Sequence, residues 1–423
     1  MRILMLAQFY PPMIGGEERH VRALSIELVR RGHDVAVATL WHAGMAEFEV
    51  DQGVRVYRIH GTLQRFAVLF SESGHQHAPS FPDPELMRGL HRVVIQEQPH
   101  IVHAHNWLLH SFAPLKAWSN ARLLLTIHDH GTRCAKKKLI YNDAPCSGPG
   151  LAKCLRCTSA HYGPAKGPLV LLTNAVMSAF ERHVIDKYLF VSHAVGVDNA
   201  LIDAGLPVEV LPNFVADDIG TVSDVPHERL SELPAGDFML FVGAFGRYKG
   251  IDVLAQAYAR LEHKLPLVLI GYHTSDSPVR TTDFPAGITV LKDWPHAAVM
   301  QAWQRSLFGL IPSIWSDPCP TVAMEAMSMG RALIASRVGG LVDLVAHTES
   351  GLLVEPGDVD ELQAAMSLLI RHPVLCKRMG EVGRSKVNAF RASSVVGRIE
   401  QIYSELLQKE QVTHVGQHHY QQL

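Results

Sequence analysis

Short apolar runs alternate along this chain with stretches in which apolar residues recur at helical spacing. The run RILMLAQ reads as a strand, and Glu17 to Arg31 as a helix with Val21, Leu24 and Leu28 on one face. HDVAVATL and GVRVYRI read as strands, PELMRGLHRVVIQEQ as a helix, and HIVHAH and RLLLTIHD as two more strands. After VEVLPNFV the pattern weakens from Ala216 to Gly236, a segment that carries Pro226 and Pro234. A second series then opens with FMLFVGAFGRYKG and continues through LPLVLIG, GITVLK, SLFGLIPS, ALIAS and GLLVEP. Strands alternating with helices imply parallel sheets, and ligands of such sheets bind beyond the carboxyl ends of the strands.

The expected architecture is α/β, with two Rossmann-like parallel-sheet domains facing a cleft. The first domain is assigned to residues 1–212, a linker to 213–236 and the second domain to 237–392. Residues 393–423 form a C-terminal helix and tail, and the last dozen residues, with the pair His418 and His419, read as a loose polar end.

The length of 423 residues exceeds one compact core, and 47% hydrophobic residues suffice to bury two. Lys and Arg together (39) nearly balance Asp and Glu (41), for a net charge of -2. That excludes a dedicated nucleic-acid binder, which would show a strong basic excess. The apolar start ends in Pro11 and Pro12 and reads as a buried strand, not as an export signal. The run GPLVLLTNAVMSAF from Gly167 is shorter than the ~20 residues that span a bilayer, so a core helix is favoured over an interfacial one. The expected location is the cytoplasm, with peripheral contact to the inner face of the membrane left open.

Neither first strand runs into G-x-G-x-x-G, so no dinucleotide cofactor is indicated. Instead Gly15 and Gly16 precede a helix, where backbone N–H groups can approach an anion closely. Arg247 and Lys249 follow the first strand of the second series, and two cations beside a helix N-terminus suit a diphosphate. In PSIWSDPCPTVAMEAMSMG, Pro320 suits the start of a helix, so Thr321 opens it with free N–H groups and the positive dipole end. Glu325 lies one turn inside, between Met324 and Met327, where a carboxylate needs a partner. It suits the vicinal hydroxyls of a ribose, and Asp317 in the preceding turn suits those of a sugar.

Taken together, FYPPMIGGEERHVRALSIELVRRGHDV, TIHD, LPNFV, FVGAFGRYKGIDVL, PSIWSDPCPTVAMEAMSMGRALIASRVGGLVDLV and SGLLVEPGD resemble the retaining glycosyltransferases of family 4, which have the GT-B fold. The resemblance covers nearly the whole length. It implies an acceptor-side first domain, a nucleotide-sugar-binding second domain and a last helix that crosses back to the first. It implies that Glu325, the second acid of an E-x7-E motif, binds the ribose and that Asp317, in the first acid's place, binds donor-sugar hydroxyls. It likewise places Lys249 on the diphosphate, Gly16 on a phosphate and His128 on the donor sugar. Two positions depart from the pattern: Asp317 is one methylene shorter than Glu, and Ala244 stands where the family often has Arg, with Arg247 three residues on.

The implied activity is transfer of a hexose, with retention, from a UDP- or GDP-sugar to a saccharide or lipid-linked acceptor. The commonest family use is cell-surface polysaccharide synthesis. No cofactor is obligate when Lys249, Arg247 and a helix N-terminus carry the leaving charge. The competing readings are a sugar-nucleotide epimerase on the same fold and a non-catalytic nucleotide-sugar-binding protein.

Four of the six cysteines, Cys134, Cys146, Cys154 and Cys157, fall within a Gly/Pro-rich insertion at 131–165. Their spacing fits a four-thiolate structural zinc site, favoured over reduced, unliganded thiols and over disulfides in the cytoplasm. Lys136 to Lys138 in the same insertion read as a solvated run, or as a contact for an anionic lipid or acidic glycan.

Overall fold

The computed structural model describes residues 1–13, 15–65, 77–142, 144–221, 228–274, 277–280 and 283–420, with the backbone alone at 63, 65 and beyond 408. Two compact units result: residues 1–191, 195–212 and 395–423 form the first, and residues 192–194 and 213–394 the second.

The first unit is built on eight strands, β1 (Arg2–Leu6), β2 (Asp34–Leu40), β3 (Phe48–Asp51), β4 (Val54–Ile59), β5 (Ile101–Ala104), β6 (Arg122–Ile127), β9 (Lys187–Phe190) and β10 (Val208–Val210). A separate small hairpin, β7 (Ile140–Tyr141) and β8 (Ala144–Pro145), lies in the cysteine-rich insertion. The sheet order is β10-β9-β6-β5-β1-β2-β4-β3, parallel except for the antiparallel pair β3 and β4. Helices cover both faces of such a sheet, which is why its central strands read as unbroken apolar runs. Leu4, Val37, Val102 and Leu124 are fully buried. The helix Gly16–Arg30 buries Val21, Leu24 and Leu28, and Pro84–Glu97 starts at Asp83, whose carboxylate accepts from the N–H groups of Glu85 and Leu86.

The second unit carries β11 (Met239–Ala244), β12 (Leu267–Tyr272), β13 (Ile288–Leu291), β14 (Phe308–Ile311), β15 (Ala332–Ser336) and β16 (Gly351–Val354) in the order β13-β12-β11-β14-β15-β16, all parallel. Phe241, Tyr258, Phe308, Ile334 and Leu369 pack in its core.

Several expectations need correction. The segment at 213–221 is no loose linker: Phe214 and Val215 are buried, and Val215 bridges to Arg391 within the second unit. Pro226 lies outside the described residues, whereas residues 228–232 form a short 3-10 turn. The apolar run from Gly167 is not a core helix. It lies in the helix Lys166–Val184, which turns Leu169, Leu172, Val176 and Phe180 to the surface while burying Asn174, Met177 and Glu181. Glu181 is buried because it pairs with His110 at 2.6 Å, so the inward face of this helix is partly polar. The last helix, Ala392–Tyr420, continues through most of the expected loose end, which no proline interrupts. From Val395 it belongs to the first unit: Tyr403 is hydrogen-bonded to His103 at 2.6 Å, and Arg398 donates to Glu209 at 2.7 Å.

Candidate active site

In the second sheet the chain reverses its direction of growth between β11 and β14, and the crevice beyond the carboxyl ends of two such strands is where an open α/β sheet takes its ligand. The loops after these two strands carry the residues singled out in the sequence. After β11 comes the 3-10 turn Arg247–Lys249, and after β14 the turn from Pro312 to Pro320 that leads into the helix Thr321–Ser328. Lys249 and Asp317 meet there: the ammonium donates to Oδ2 of Asp317, which also accepts from Ser313 Oγ at 3.4 Å. Asp317 is 5% exposed, so without these donors its charge would be costly. The Lys249 ammonium also lies 6.0 Å from the ring centre of Trp315. Arg247 is exposed on the same turn.

Two glycines set this geometry. Gly250 has φ +69°, and a Cβ there would lie 1.9 Å from the carbonyl oxygen of Pro312. Gly339 has φ +57°, and its Cβ would stand 2.3 Å from the carbonyl oxygen of Asp317. The backbone at Pro312 and at Asp317 can be approached this closely only by residues without a side chain. The neighbouring Gly340 N–H donates to that same Asp317 carbonyl at 2.8 Å.

Pro320 is the residue before the helix Thr321–Ser328, and no side chain caps that end, so its N–H groups point out of the helix toward the loop. Glu325 sits in the helix between the fully buried Met324 and Met327, and its side chain is 13% exposed. Its Oε1 lies 3.0 Å from Nε2 of His296. Cys319, between Asp317 and Pro320, is buried, and desolvation pushes its thiol up to about 12, so it is neutral at any working pH.

The first sheet has its own reversal between β1 and β5. Gly15, in extended backbone, and Gly16, the first helical residue, follow β1, and a Cβ at Gly16 would meet nothing within 4 Å. His128 follows β6 directly. It contacts His105, which follows β5, through a 3.0 Å nitrogen–nitrogen contact, and it packs 5.0 Å from the His20 ring. Desolvation, with the neighbouring imidazoles, holds His128 and His105 well below the usual histidine range, and His20 down at about 4, so all three are neutral at pH 7. Asn106 accepts from Gln8 N–H at 3.1 Å and donates to Glu17, whose half-buried carboxyl is pushed up to about 8, mainly by desolvation. These histidines were not grouped in the sequence reading. The only available signal was that three elements entering one sheet edge each carry one.

The cysteine-rich insertion returns to this edge: Lys137 lies 3.8 Å from Asp129 and 4.2 Å from the ring centre of Trp107. Cys134, Cys146, Cys154 and Cys157 all line one cavity of about 380 Å³, yet among the described residues they do not bring three sulfurs within 4.8 Å of one another. None of the four is joined in a disulfide.

Residues 14–218 match the family described as Glycosyltransferase Family 4, and residues 228–386 match Glycosyl transferases group 1. A glycogen synthase of Mycobacterium tuberculosis is 26% identical over 95% of this chain and 94% of its own. An uncharacterised glycosyltransferase of Methanocaldococcus jannaschii is 25% identical over 86% and 87%. Among solved structures, a sucrose-phosphate synthase of Thermosynechococcus elongatus superposes with TM-score 0.74 at 20% identity, covering 96% of this chain and 99% of that one. HepE of Anabaena, solved with UDP, gives TM-score 0.69 at 16% identity over 96% and 100%. With matches to both halves and relatives along nearly its full length, the chain belongs to the family 4 glycosyltransferases of GT-B fold.

Proposed function

We propose that this enzyme moves a hexose from a UDP- or GDP-sugar, with retention at the anomeric carbon, to a saccharide or lipid-linked acceptor in polysaccharide synthesis. The observation that carries the reading is the grouping of Lys249 and Asp317 in the two loops at the reversal of the second sheet, followed by a helix with an uncapped N-terminus. A leaving diphosphate gains charge as the glycosidic bond breaks, and a fixed ammonium with N–H donors stabilises that charge without rearranging. Lys249 is then the diphosphate ligand, Glu325 the ribose ligand, and Asp317 both the residue that positions Lys249 and the acceptor of sugar hydroxyls. Arg247, exposed on the same turn, is assigned the charge that Ala244 lacks. Gly15 and Gly16 are assigned to phosphate and His128 to the donor sugar, by their match to the family's positions. Neutral His128 serves as a hydrogen-bonding partner there, not as a cation.

Support for a nucleotide-sugar donor comes from the relatives: HepE was solved with UDP-glucose, and a starch synthase IV of Arabidopsis thaliana with ADP and acarbose. A lipid-linked acceptor and peripheral membrane contact are supported by the outward Leu169, Leu172, Val176 and Phe180, on a helix whose Leu171 lines the same cavity as Lys136. No helix among the described residues is long and apolar enough to cross a membrane. The test is nucleotide release from each candidate donor with and without acceptor. Release that requires acceptor and is lost in Lys249→Ala supports the transferase. Donor conversion without acceptor would indicate an epimerase, and binding without turnover a non-catalytic protein.

A further inference from the structure

The cysteine-rich insertion and the helix Lys166–Val184 enclose the cavity of about 380 Å³, a volume within the ~300–1,000 Å³ of small-molecule sites. The helix contributes Leu171, Asn174, Ala175, Ser178 and Arg182, spaced three and four residues apart and therefore on one face. The other walls come from the loop and hairpin within residues 132–149 and from the helix Leu151–Tyr162. The two helices touch where Gly167 passes Ser159, since a Cβ on that glycine would lie 2.4 Å from the Ser159 nitrogen.

The lining narrows what fits. Leu139, Ile140, Leu171 and Ala179 give it apolar wall, and Arg133, Lys136, Lys153 and Arg182 stand among them, with no Asp or Glu among the described lining residues. Three of these cations hydrogen-bond only to uncharged oxygens: Arg133 to the Asp198 carbonyl at 3.0 Å, Lys153 to Ser147 Oγ at 3.1 Å and Lys136 to the Ile140 carbonyl at 3.5 Å. Positive charge beside apolar wall, with no carboxylate to balance it, favours an anionic ligand. Asn174 is 4% exposed, and its Oδ1 and the buried Oγ of Ser178, one turn on, have no hydrogen-bond partner. Such orphans are uncommon, and an amide and a hydroxyl can each donate to a ligand oxygen as well as accept from a hydroxyl. Thr132 lines both this cavity and the smaller one formed with His105, Asn106 and Asp129, so the cavity adjoins the carboxyl edge of the first sheet.

We propose that this cavity binds a lipid phosphate, with the apolar chain against Leu139, Ile140 and Leu171 and the phosphate among the cations, Lys136 and Arg182 included. A free phosphate has no chain to cover the apolar wall, and a neutral lipid brings no charge to meet the cations. The outward Leu169, Leu172, Val176 and Phe180 lie on the same helix, which thus carries an apolar outer surface and one wall of the cavity. That the bound lipid is the lipid end of the acceptor rests on the proposed transfer to a lipid-linked acceptor; the binding itself does not.

Monomeric farnesyl phosphate is the probe, titrated calorimetrically into the full chain without nucleotide, with farnesol and inorganic phosphate as comparisons. The expected result is one farnesyl phosphate per chain, bound at least ~10-fold more tightly than either comparison. Ala175→Trp, which puts an indole into the cavity from an exposed position, should weaken it at least ~10-fold, and so should Lys136→Glu/Arg182→Glu. Leu172→Ser/Val176→Ser, on the outward face, should leave it unchanged. Circular dichroism and the thermal midpoint check that each variant folds. No binding of farnesyl phosphate, equal binding of farnesol or inorganic phosphate, or loss in the outward-face variant alone overturns the proposal. Its failure is distinct from failure of the transferase reading. Absent lipid binding with acceptor-dependent nucleotide release strikes the cavity alone, whereas lipid binding without that release supports the cavity and strikes the transfer.

Discussion

The ammonium of Lys249 donates to the carboxylate of Asp317, 68 residues further along the chain, because the two loops that carry them leave adjacent strands of one sheet at the point where its order reverses. Asp317 is almost fully buried and Lys249 is 31% exposed, so removing the lysine strands a charge that solvent reaches poorly. Lys249→Ala is expected to cost about 1–2 kcal/mol of stability, less than a fully buried pair would lose because water screens the lysine side. The double substitution Lys249→Met/Asp317→Asn should cost measurably less than the sum of its parts, by about 1 kcal/mol in denaturant unfolding. Additive losses would mean the pair is not coupled.

Gly250 and Gly16 separate architecture from ligand contact. Gly250→Ala puts a methyl group into the Pro312 carbonyl at a positive φ, and should destabilise by about 2 kcal/mol or more and weaken donor binding with it. Gly16 opens onto empty space in a helical first turn, so Gly16→Ala should change stability by less than ~0.5 kcal/mol. If Gly16 admits a phosphate against its backbone, turnover nevertheless falls at least tenfold in that variant. Paired thermal melts and steady-state rates distinguish the two glycines, and equal effects on both readouts at Gly16 would remove its phosphate role.

Much of this arrangement was legible in the sequence. The strands of the second sheet stood out because parallel strands buried on both faces read as nearly unbroken apolar runs, as in SLFGLIPS and ALIAS. Asp317, Lys249 and Glu325 stood out because charge next to core methionines or inside glycine turns demands a partner. β3 was missed because its Phe48 and Val50 are exposed at the sheet edge and its partner contacts are antiparallel. The helix Lys166–Val184 was misjudged because apolar content does not say which face is buried, and here Glu181 and Asn174 point inward. The histidine group was invisible because His128 stood out alone, through its match to the family, and His20 and His105 carried no signal of their own. Only the order β6-β5-β1 brings together the segments that follow these strands, His20 lying in the helix Gly16–Arg30 after β1.

The last helix is tied to β10 by Arg398 and Glu209, and Lys187 adds a second cation 3.1 Å from the same carboxylate. Burial alone would raise the Glu209 carboxyl, but the hydrogen bonds from Arg398 and Lys187 outweigh it and hold it below its usual value. A carboxylate lowered in the folded state stabilises above its unfolded value of about 4.3 and loses that contribution as pH falls through the folded value. The unaltered protein should therefore exceed Glu209→Gln in stability by about 1 kcal/mol at pH 7, with the difference shrinking once the pH drops below about 4. A difference independent of pH in urea unfolding would show that packing, not charge, holds the helix.

Calorimetric titration of UDP, GDP and ADP into the full chain, Lys249→Ala and Glu325→Ala tests the proposed binding of the donor to the second unit through Lys249 and Glu325. UDP or GDP is expected to bind the unaltered chain, and each substitution to weaken binding roughly 10- to 100-fold, the worth of one or two hydrogen bonds to a charged group. Binding of no nucleotide, or equal affinity in all three proteins, would contradict it.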